Sequence, residues 1–226
     1  MEGIIMRPAQ LVSLLAIKFA FCLILCGCGE SAPTPPTASM ESPRGELPTG
    51  PKKEAFDDAR PAVQIRTSLG EITVELDQEN APITVGNFLG YVGRGQYDGT
   101  IFHQVVGGYM ALGGGYDAAL KERKVGIPIL NEAHHGMKNV RGTIAMARIP
   151  EVVNSATNQF FFNLADNPHL DHQKRTPEGY GYCAFGKVTA GLDILEKIGA
   201  ATVADQPDFP QIPTPPVVIE SIQRVR

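Results

Sequence analysis

A chain of 226 residues with a hydrophobic fraction of 43% can enclose one ordinary domain with a proper core, and one domain is the economical count. A formal net charge of −4 and the lack of any Lys/Arg-rich stripe argue against nucleic acid as a partner, because neutralising phosphates needs such a stripe. With four cysteines, three of them crowded between Cys22 and Cys28, there is no internal disulfide framework to expect.

Residues 1–28 read as a targeting segment. Arg7 supplies positive charge, and Leu11 to Leu25 is mostly apolar, interrupted by Lys18. The run Leu25-Cys26-Gly27-Cys28 resembles the lipobox of bacterial lipoprotein signals, in which a small residue admits the peptidase and the cysteine thiol takes the lipid. Cys28 would then be lipidated and become the mature N-terminus. An uncleaved membrane anchor is a second reading, although about 20 clean apolar residues are wanted for a span, and an ordinary secretory signal is a third. All three export the chain, and the first leaves it tethered to a membrane, facing the periplasm or the cell exterior. Only Cys183 then remains as a thiol, in an apolar run where a buried inert group is expected.

Residues 29–60 shift to Pro, Ser, Thr and Gly, as in Ser31-Ala32-Pro33-Thr34-Pro35-Pro36-Thr37. Such a segment carries too little apolar surface to offset chain entropy and reads as a disordered tether. The folded domain is assigned to residues 61–226. Val63 and Ile65, then Ile72, Val74 and Leu76, alternate with polar residues about Ser68-Leu69-Gly70 and predict a hairpin. Pro82 can open a helix whose Val85, Phe88, Leu89 and Val92 share one face and which Gly93 and Gly95 end. Apolar runs around Phe102, Ile144, Phe161, Phe185 and Val218 are strand-like. A short helix fits Leu192, Leu195 and Ile198 with Gly199 at its end, Pro207 to Pro216 reads as an irregular connection, and Val217 to Val225 as a last strand. Many short strands with two helices leave a sandwich and a closed barrel both open.

Three segments carry the chemistry: Ile101-Phe102-His103-Gln104-Val105-Val106-Gly107-Gly108-Tyr109-Met110-Ala111-Leu112-Gly113-Gly114-Gly115, then Asn158-Gln159-Phe160-Phe161-Phe162, then Tyr182-Cys183-Ala184-Phe185-Gly186-Lys187-Val188. Judged singly, the Gly-rich run is a turn, and Tyr109, Met110 and Phe161 are core residues. In this order and spacing they resemble the cyclophilin family of peptidyl-prolyl cis-trans isomerases, in particular its short bacterial branch. The stretch Gly136 to Arg148 agrees with the bacterial strand that precedes the Gln-Phe-Phe element. The resemblance runs from about Ala62 to Val225.

What it implies is a mainly β fold, a closed eight-stranded antiparallel β-barrel capped by two α-helices, with the binding groove on its outer face. It also implies isomerisation of X-Pro bonds in exported polypeptides, with neither metal nor organic cofactor. Matched residue by residue, Tyr109, Met110, Phe161 and Leu170 would line the proline pocket, and Ala147 and Gln159 would contact the peptide backbone. Arg148 stands where bacterial members also carry arginine, Tyr182 where the family has histidine or tyrosine, and His169 where it usually has tryptophan or phenylalanine; by the same matching these three and Leu112 are expected among the substrate-binding residues.

Two departures fall at the reaction centre. The family's donor is an arginine directly after Phe-His, and here that residue is Gln104; the glutamine that helps to orient the arginine is here Leu112. A twisted X-Pro bond leaves the proline nitrogen a better hydrogen-bond acceptor, so a donor aimed at it favours the transition state. An amide can donate, but without charge assistance. A weakened isomerase is therefore expected, with a proline-peptide holder or chaperone-like envelope protein as the alternative and an envelope scaffold as a third reading. The chain is read as a monomer. His103 is expected to be structural. His134-His135 lacks a third ligand at metal-binding spacing, and Ser155, His169 and Asp171 have no triad spacing and no Gly-x-Ser-x-Gly elbow.

Overall fold

The computed structural model describes residues 60–225. Its first two strands, β1 (Ala62–Thr67) and β2 (Gly70–Leu76), form the expected hairpin, with Ile72, Val74 and Leu76 buried on one face of β2. Helix α1 (Pro82–Gly93) follows, then β3 (Thr100–Val106), β4 (Met110–Asp117), β5 (Thr143–Met146) and β6 (Phe160–Asn163). A 3-10 turn (Pro168–Leu170), β7 (Ala184–Ala190), α2 (Leu192–Gly199), β8 (Val203–Gln206), β9 (Phe209–Pro213) and β10 (Val218–Arg224) complete the order among the described residues. Eight strands close into an antiparallel barrel in the order β1-β10-β3-β4-β6-β5-β7-β2. Closure removes the exposed sheet edges that so many short strands would otherwise present.

Both helices send residues into the one barrel core: Val85, Phe88, Tyr91 and Val92 from α1, Leu195 and Ile198 from α2. Phe88 lies at its centre, with ring centroids 5.3 Å from Tyr97, 5.6 Å from Phe160 and 5.2 Å from Phe185. Pro82 starts α1 with its φ already helical, yet the capping position is Ala81, which has no side-chain acceptor. Glu132, on a distant loop, supplies the cap: its carboxylate accepts from the backbone amides of Ile83 (3.1 Å) and Thr84 (2.8 Å) and from the Thr84 hydroxyl (2.7 Å). Cys183 is buried nearby as a free thiol whose pKa burial pushes up to about 12, which is the inert group expected.

The structure refines one expectation and corrects another. The turn read from the Gly-rich run falls at Gly107-Gly108, directly after β3, whereas Gly113, Gly114 and Gly115 lie within strand β4. Gly114 has φ +84, and a Cβ there would come within 2.9 Å of both the Phe160 and Tyr97 rings. The chain between Pro207 and Pro216 is not irregular: β8 and β9 form a separate two-stranded sheet. Proline density hid it. Pro210 falls in the irregular part of the β8–β9 register, where its missing N–H breaks no ladder bond. Phe209 packs at 4.9 Å from Tyr116 and 6.3 Å from His103.

Candidate active site on the outer face of the barrel

A bulge decides which side chains reach the outer face. Along β3, Phe102 pairs with Gly113 and Gln104 pairs with Leu112, so β3 advances two residues where β4 advances one. Phe102 and Val105 consequently both face the barrel core although they are three residues apart, while Gln104 is delivered outward. His103, the extra residue, is only 5% exposed and lies 4.8 Å from the Tyr116 ring, beside Phe209 of β9. Burial drives its pKa down to about 4, so it is neutral and structural, as expected.

From Gln104 a row of paired residues runs straight across five strands. Gln104 pairs with Leu112, Leu112 with Phe161, Phe161 with Ala145 and Ala145 with Ala184; Met137 extends the row by an isolated bridge to Ala184. Leu112, Phe161, Ala145, Ala184 and Leu170 form a hydrophobic cluster separate from the barrel core, joined by Tyr109, Met110, Met137, Ala147 and Tyr182. The period-2 alternation separates the two: Ala111, Phe160, Phe162, Ile144 and Phe185 point inward while their neighbours point out. Tyr109, Met110 and Phe161 therefore belong to this outer cluster and not to the barrel core that their size alone suggests.

Seven of the residues singled out from sequence thus come together here: Tyr109, Met110, Leu112, Ala147, Phe161, Leu170 and Tyr182. Gln159 sits at the mouth of β6. Its carbonyl accepts from the Ala147 amide (2.9 Å), and its side chain lies where a Cβ on Gly115 would stand. His169 is exposed above the pocket rim, stacked on Tyr109 at 5.6 Å and sharing a 3.3 Å hydrogen bond with its hydroxyl. Arg148 is buried beneath Tyr182, its guanidinium carbon 4.8 Å from the ring centroid. Tyr182 in turn meets Phe161 edge-on at 5.8 Å. Burial raises the pKa of both Tyr109 and Tyr182, so both phenols stay protonated and can donate at neutral pH. Cys28 lies outside the described residues.

The sequence reading missed the support beneath the pocket. Asn139, Asn163 and Asn167 are all buried and joined in series. Asn167 donates to the Tyr109 carbonyl (3.0 Å) and to Asn163 Oδ1 (2.8 Å); Asn163 donates to Asn139 Oδ1 (3.2 Å) and Thr143 Oγ1 (2.9 Å). Asn139 donates to the carbonyls of Leu170 (3.2 Å) and Tyr182 (3.0 Å). Three segments of pocket wall are thereby fixed through their backbones. Isolated asparagines read as turn residues from sequence, and only the fold shows that these three touch.

Chemically, the arrangement is an apolar shelf with an amide at one end. Strands about 4.8 Å apart put the Gln104 backbone roughly 10 Å from that of Phe161, so Gln104 stands at the end of the row with Leu112 as its cross-strand neighbour. A proline ring suits the shelf, and the amide can donate to a nitrogen above it. A cavity of about 240 Å³ between α2 and Leu164 is not this site and is lined by Leu192, Leu195 and the Arg141–Glu196 pair.

Comparison with known proteins places the chain. Residues 62–224 match the family model for cyclophilin type peptidyl-prolyl cis-trans isomerases. Peptidyl-prolyl cis-trans isomerase A of Dickeya dadantii is 43% identical over 164 residues, covering 73% of this chain and 84% of that protein. A peptidyl-prolyl cis-trans isomerase of Streptomyces antibioticus is 45% identical over 159 residues, covering 70% and 95%. The crystal structure of a cyclophilin type isomerase from Cryptosporidium parvum superposes with a TM-score of 0.59 at 24% identity, over 74% of this chain and 98% of that one, which speaks to the fold. With a family match spanning almost every described residue and the barrel and outer shelf that go with it, this chain is a member of the cyclophilin type peptidyl-prolyl cis-trans isomerase family.

Proposed function

We propose that this protein is a peptidyl-prolyl cis-trans isomerase that assists folding of exported polypeptides and works more slowly than an arginine-bearing site would. The observation that carries the reading is the transverse row Gln104–Leu112–Phe161–Ala145–Ala184, an apolar seat for proline with one amide donor at its end. Relatives named as isomerases at 43% and 45% identity support the activity. Isomerisation breaks no bond, and its barrier of about 18 to 20 kcal/mol is lowered by whatever favours the twisted amide. Tyr109, Met110, Leu112, Phe161 and Leu170 hold the ring, Ala147 and Gln159 receive the peptide backbone, and Gln104 donates to the proline nitrogen. A neutral donor in place of a charged one gives up about 1.5 to 4 kcal/mol of transition-state stabilisation, a factor of about 10 to 10³ in rate.

The test is the isomerisation rate constant of a proline tetrapeptide against protein concentration, using the chain without residues 1–28. Weak but proportional acceleration is expected. No acceleration at tens of micromolar protein would leave the second reading, a proline-peptide-binding module. That reading is favoured by one observation: Leu112, directly opposite Gln104, offers the amide no polar partner to orient it.

The placement at a membrane is proposed from Leu25-Cys26-Gly27-Cys28. Cys28→Ser should abolish lipid labelling and release the protein from the membrane fraction. Membrane association that persists with no change in mass would indicate an uncleaved anchor instead.

A further inference from the structure

The geometry points to Arg148 as a positioning residue that acts on the proline pocket through Tyr182, and not as a ligand of the peptide; this rests on the isomerase reading of the same site. Four of the five N–H groups of Arg148 are already committed to backbone carbonyls. Nε donates to Gly181 (2.9 Å), one terminal nitrogen to Ile149 (3.1 Å) and Pro150 (2.6 Å), and the other to Pro177 (2.7 Å). Those carbonyls belong to two loops: residues 149–155, which follow the β5 edge of the site, and residues 171–181, which lead into Tyr182. The guanidinium face is covered by the Tyr182 ring at 4.8 Å, and the residue is 5% exposed. A planar cation that is bonded in its plane and stacked on its face has little left to offer a substrate.

What it does offer is a fixed Tyr182. The Tyr182 ring stands edge-on to Phe161, at the centre of the transverse row, and forms the wall of the shelf on the side away from Gln104. Besides its own amide, which donates to the Leu170 carbonyl (2.8 Å), two side chains hold it. Asn139 takes the Tyr182 carbonyl, and Arg148 takes the ring face and the carbonyl of Gly181 just before it. The position of Gly181 leaves no alternative route for the chain: its φ is +80, and a Cβ there would come within 2.6 Å of the backbone of Asp171 and His172. Arg148 therefore joins two loops and one aromatic wall at a single point, which a lysine cannot do, because one ammonium cannot reach carbonyls spread around a plane or stack as guanidinium does.

The experiment is a cycle of Arg148→Ala, Tyr182→Ala and the double variant, with two readouts. The first is the dissociation constant for a proline tetrapeptide. Arg148→Ala alone should weaken binding by about tenfold, and in the Tyr182→Ala background by less than about twofold, since residues that act as one unit are not additive. The second is amide hydrogen exchange, which should speed up in residues 149–155 and 171–181 while β1 and β10 keep their protection. Equal weakening with and without Tyr182 would mean that Arg148 touches the peptide itself and would overturn the proposal; so would unchanged exchange in both loops. Should Arg148→Ala fail to fold, Arg148→Lys takes its place and must also fail to restore the loops and the affinity. If the unaltered protein neither binds nor isomerises proline peptides, the isomerase reading falls, while the exchange data still decide whether Arg148 holds Tyr182 and its loop.

Discussion

Gln104 on β3 and Leu112 on β4 stand directly opposite each other in the ladder, and the bulge at His103 puts both on the outer face of the barrel. The amide that has to donate to a substrate nitrogen thus has a hydrocarbon neighbour where a polar one could have aimed it. Changing the donor alone and changing the pair should therefore give different results. Gln104→Arg is expected to raise kcat/KM by at least roughly tenfold, since about 1.4 kcal/mol is the least a charged donor should add over a neutral one. Gln104→Arg with Leu112→Gln should exceed the single change, because residues this close couple. A folded double variant with no gain would mean that the apolar shelf itself no longer seats proline as proposed.

Glu132 gives a prediction about stability that depends on one carboxylate. It replaces the side-chain cap that Ala81 cannot supply, and its three hydrogen bonds sit at the positive end of α1. Glu132→Ala leaves the two buried donors of Thr84 and the part-buried amide of Ile83 unpaired and should cost about 2 to 3 kcal/mol, which for a domain of this size lowers Tm by about 5 to 10 °C. Glu132→Gln keeps one acceptor and should fall between. A loss of less than 1 °C for Glu132→Ala would show that another group, or water, caps the helix equally well.

How much of this could be read beforehand follows from the range of each signal. The hairpin at Val63 to Leu76 and helix α1 are written in local periodicity, and the structure shows both. The choice of a closed barrel over a sandwich came from the resemblance, because alternation within a strand says nothing of which strand lies beside it. The Phe161 pocket was legible only as a set of matched positions; that these positions form one row depends on a bulge at His103 that no local pattern marks. The β8–β9 hairpin was lost to the turn signal of Pro207, Pro210 and Pro213, and the asparagine series to sequence separation. Arg148 could be placed near the peptide but not assigned a task, since its partners at Pro177 and Gly181 lie about thirty residues further along the chain.

His103 should make the fold sensitive to mild acid. Its folded pKa is about 4, depressed by burial from the ordinary value of 6.5, so the unfolded chain takes up a proton in a range where the folded chain does not. The sign is fixed by that difference: stability from this group is fully present above pH 6.5 and is lost as pH falls from 6.5 toward 4, by about 3 kcal/mol in all. Carboxylates titrate in part of the same window, so the quantity to measure is a difference. Urea unfolding of His103→Phe, which keeps the aromatic contacts to Tyr116 and Phe209, should depend less steeply on pH between 6.5 and 4 than that of the unaltered protein. Parallel profiles would place the acid sensitivity elsewhere.

The asparagine series offers a way to disturb the pocket without touching any side chain that lines it. Asn163 is fully buried and central: it accepts from Asn167 and donates to Asn139 and Thr143. Replacing it by alanine leaves those partners unpaired, at a cost of about 1 to 3 kcal/mol, and loosens the two residues that hold the carbonyls of Tyr109, Leu170 and Tyr182. The seat for proline should then be less well formed before substrate arrives, while Gln104, on β3 two strands away from Asn163 and two residues along from its level, keeps its donor. Asn163→Ala is accordingly expected to raise KM severalfold with kcat changed by less than about twofold, the pattern of lost uniform binding. A fall in Tm with KM unchanged would assign the series to fold stability alone. A fall in kcat at constant KM would place Asn163 in contact with the machinery that acts at the transition state, contrary to the division of labour proposed between the shelf and Gln104.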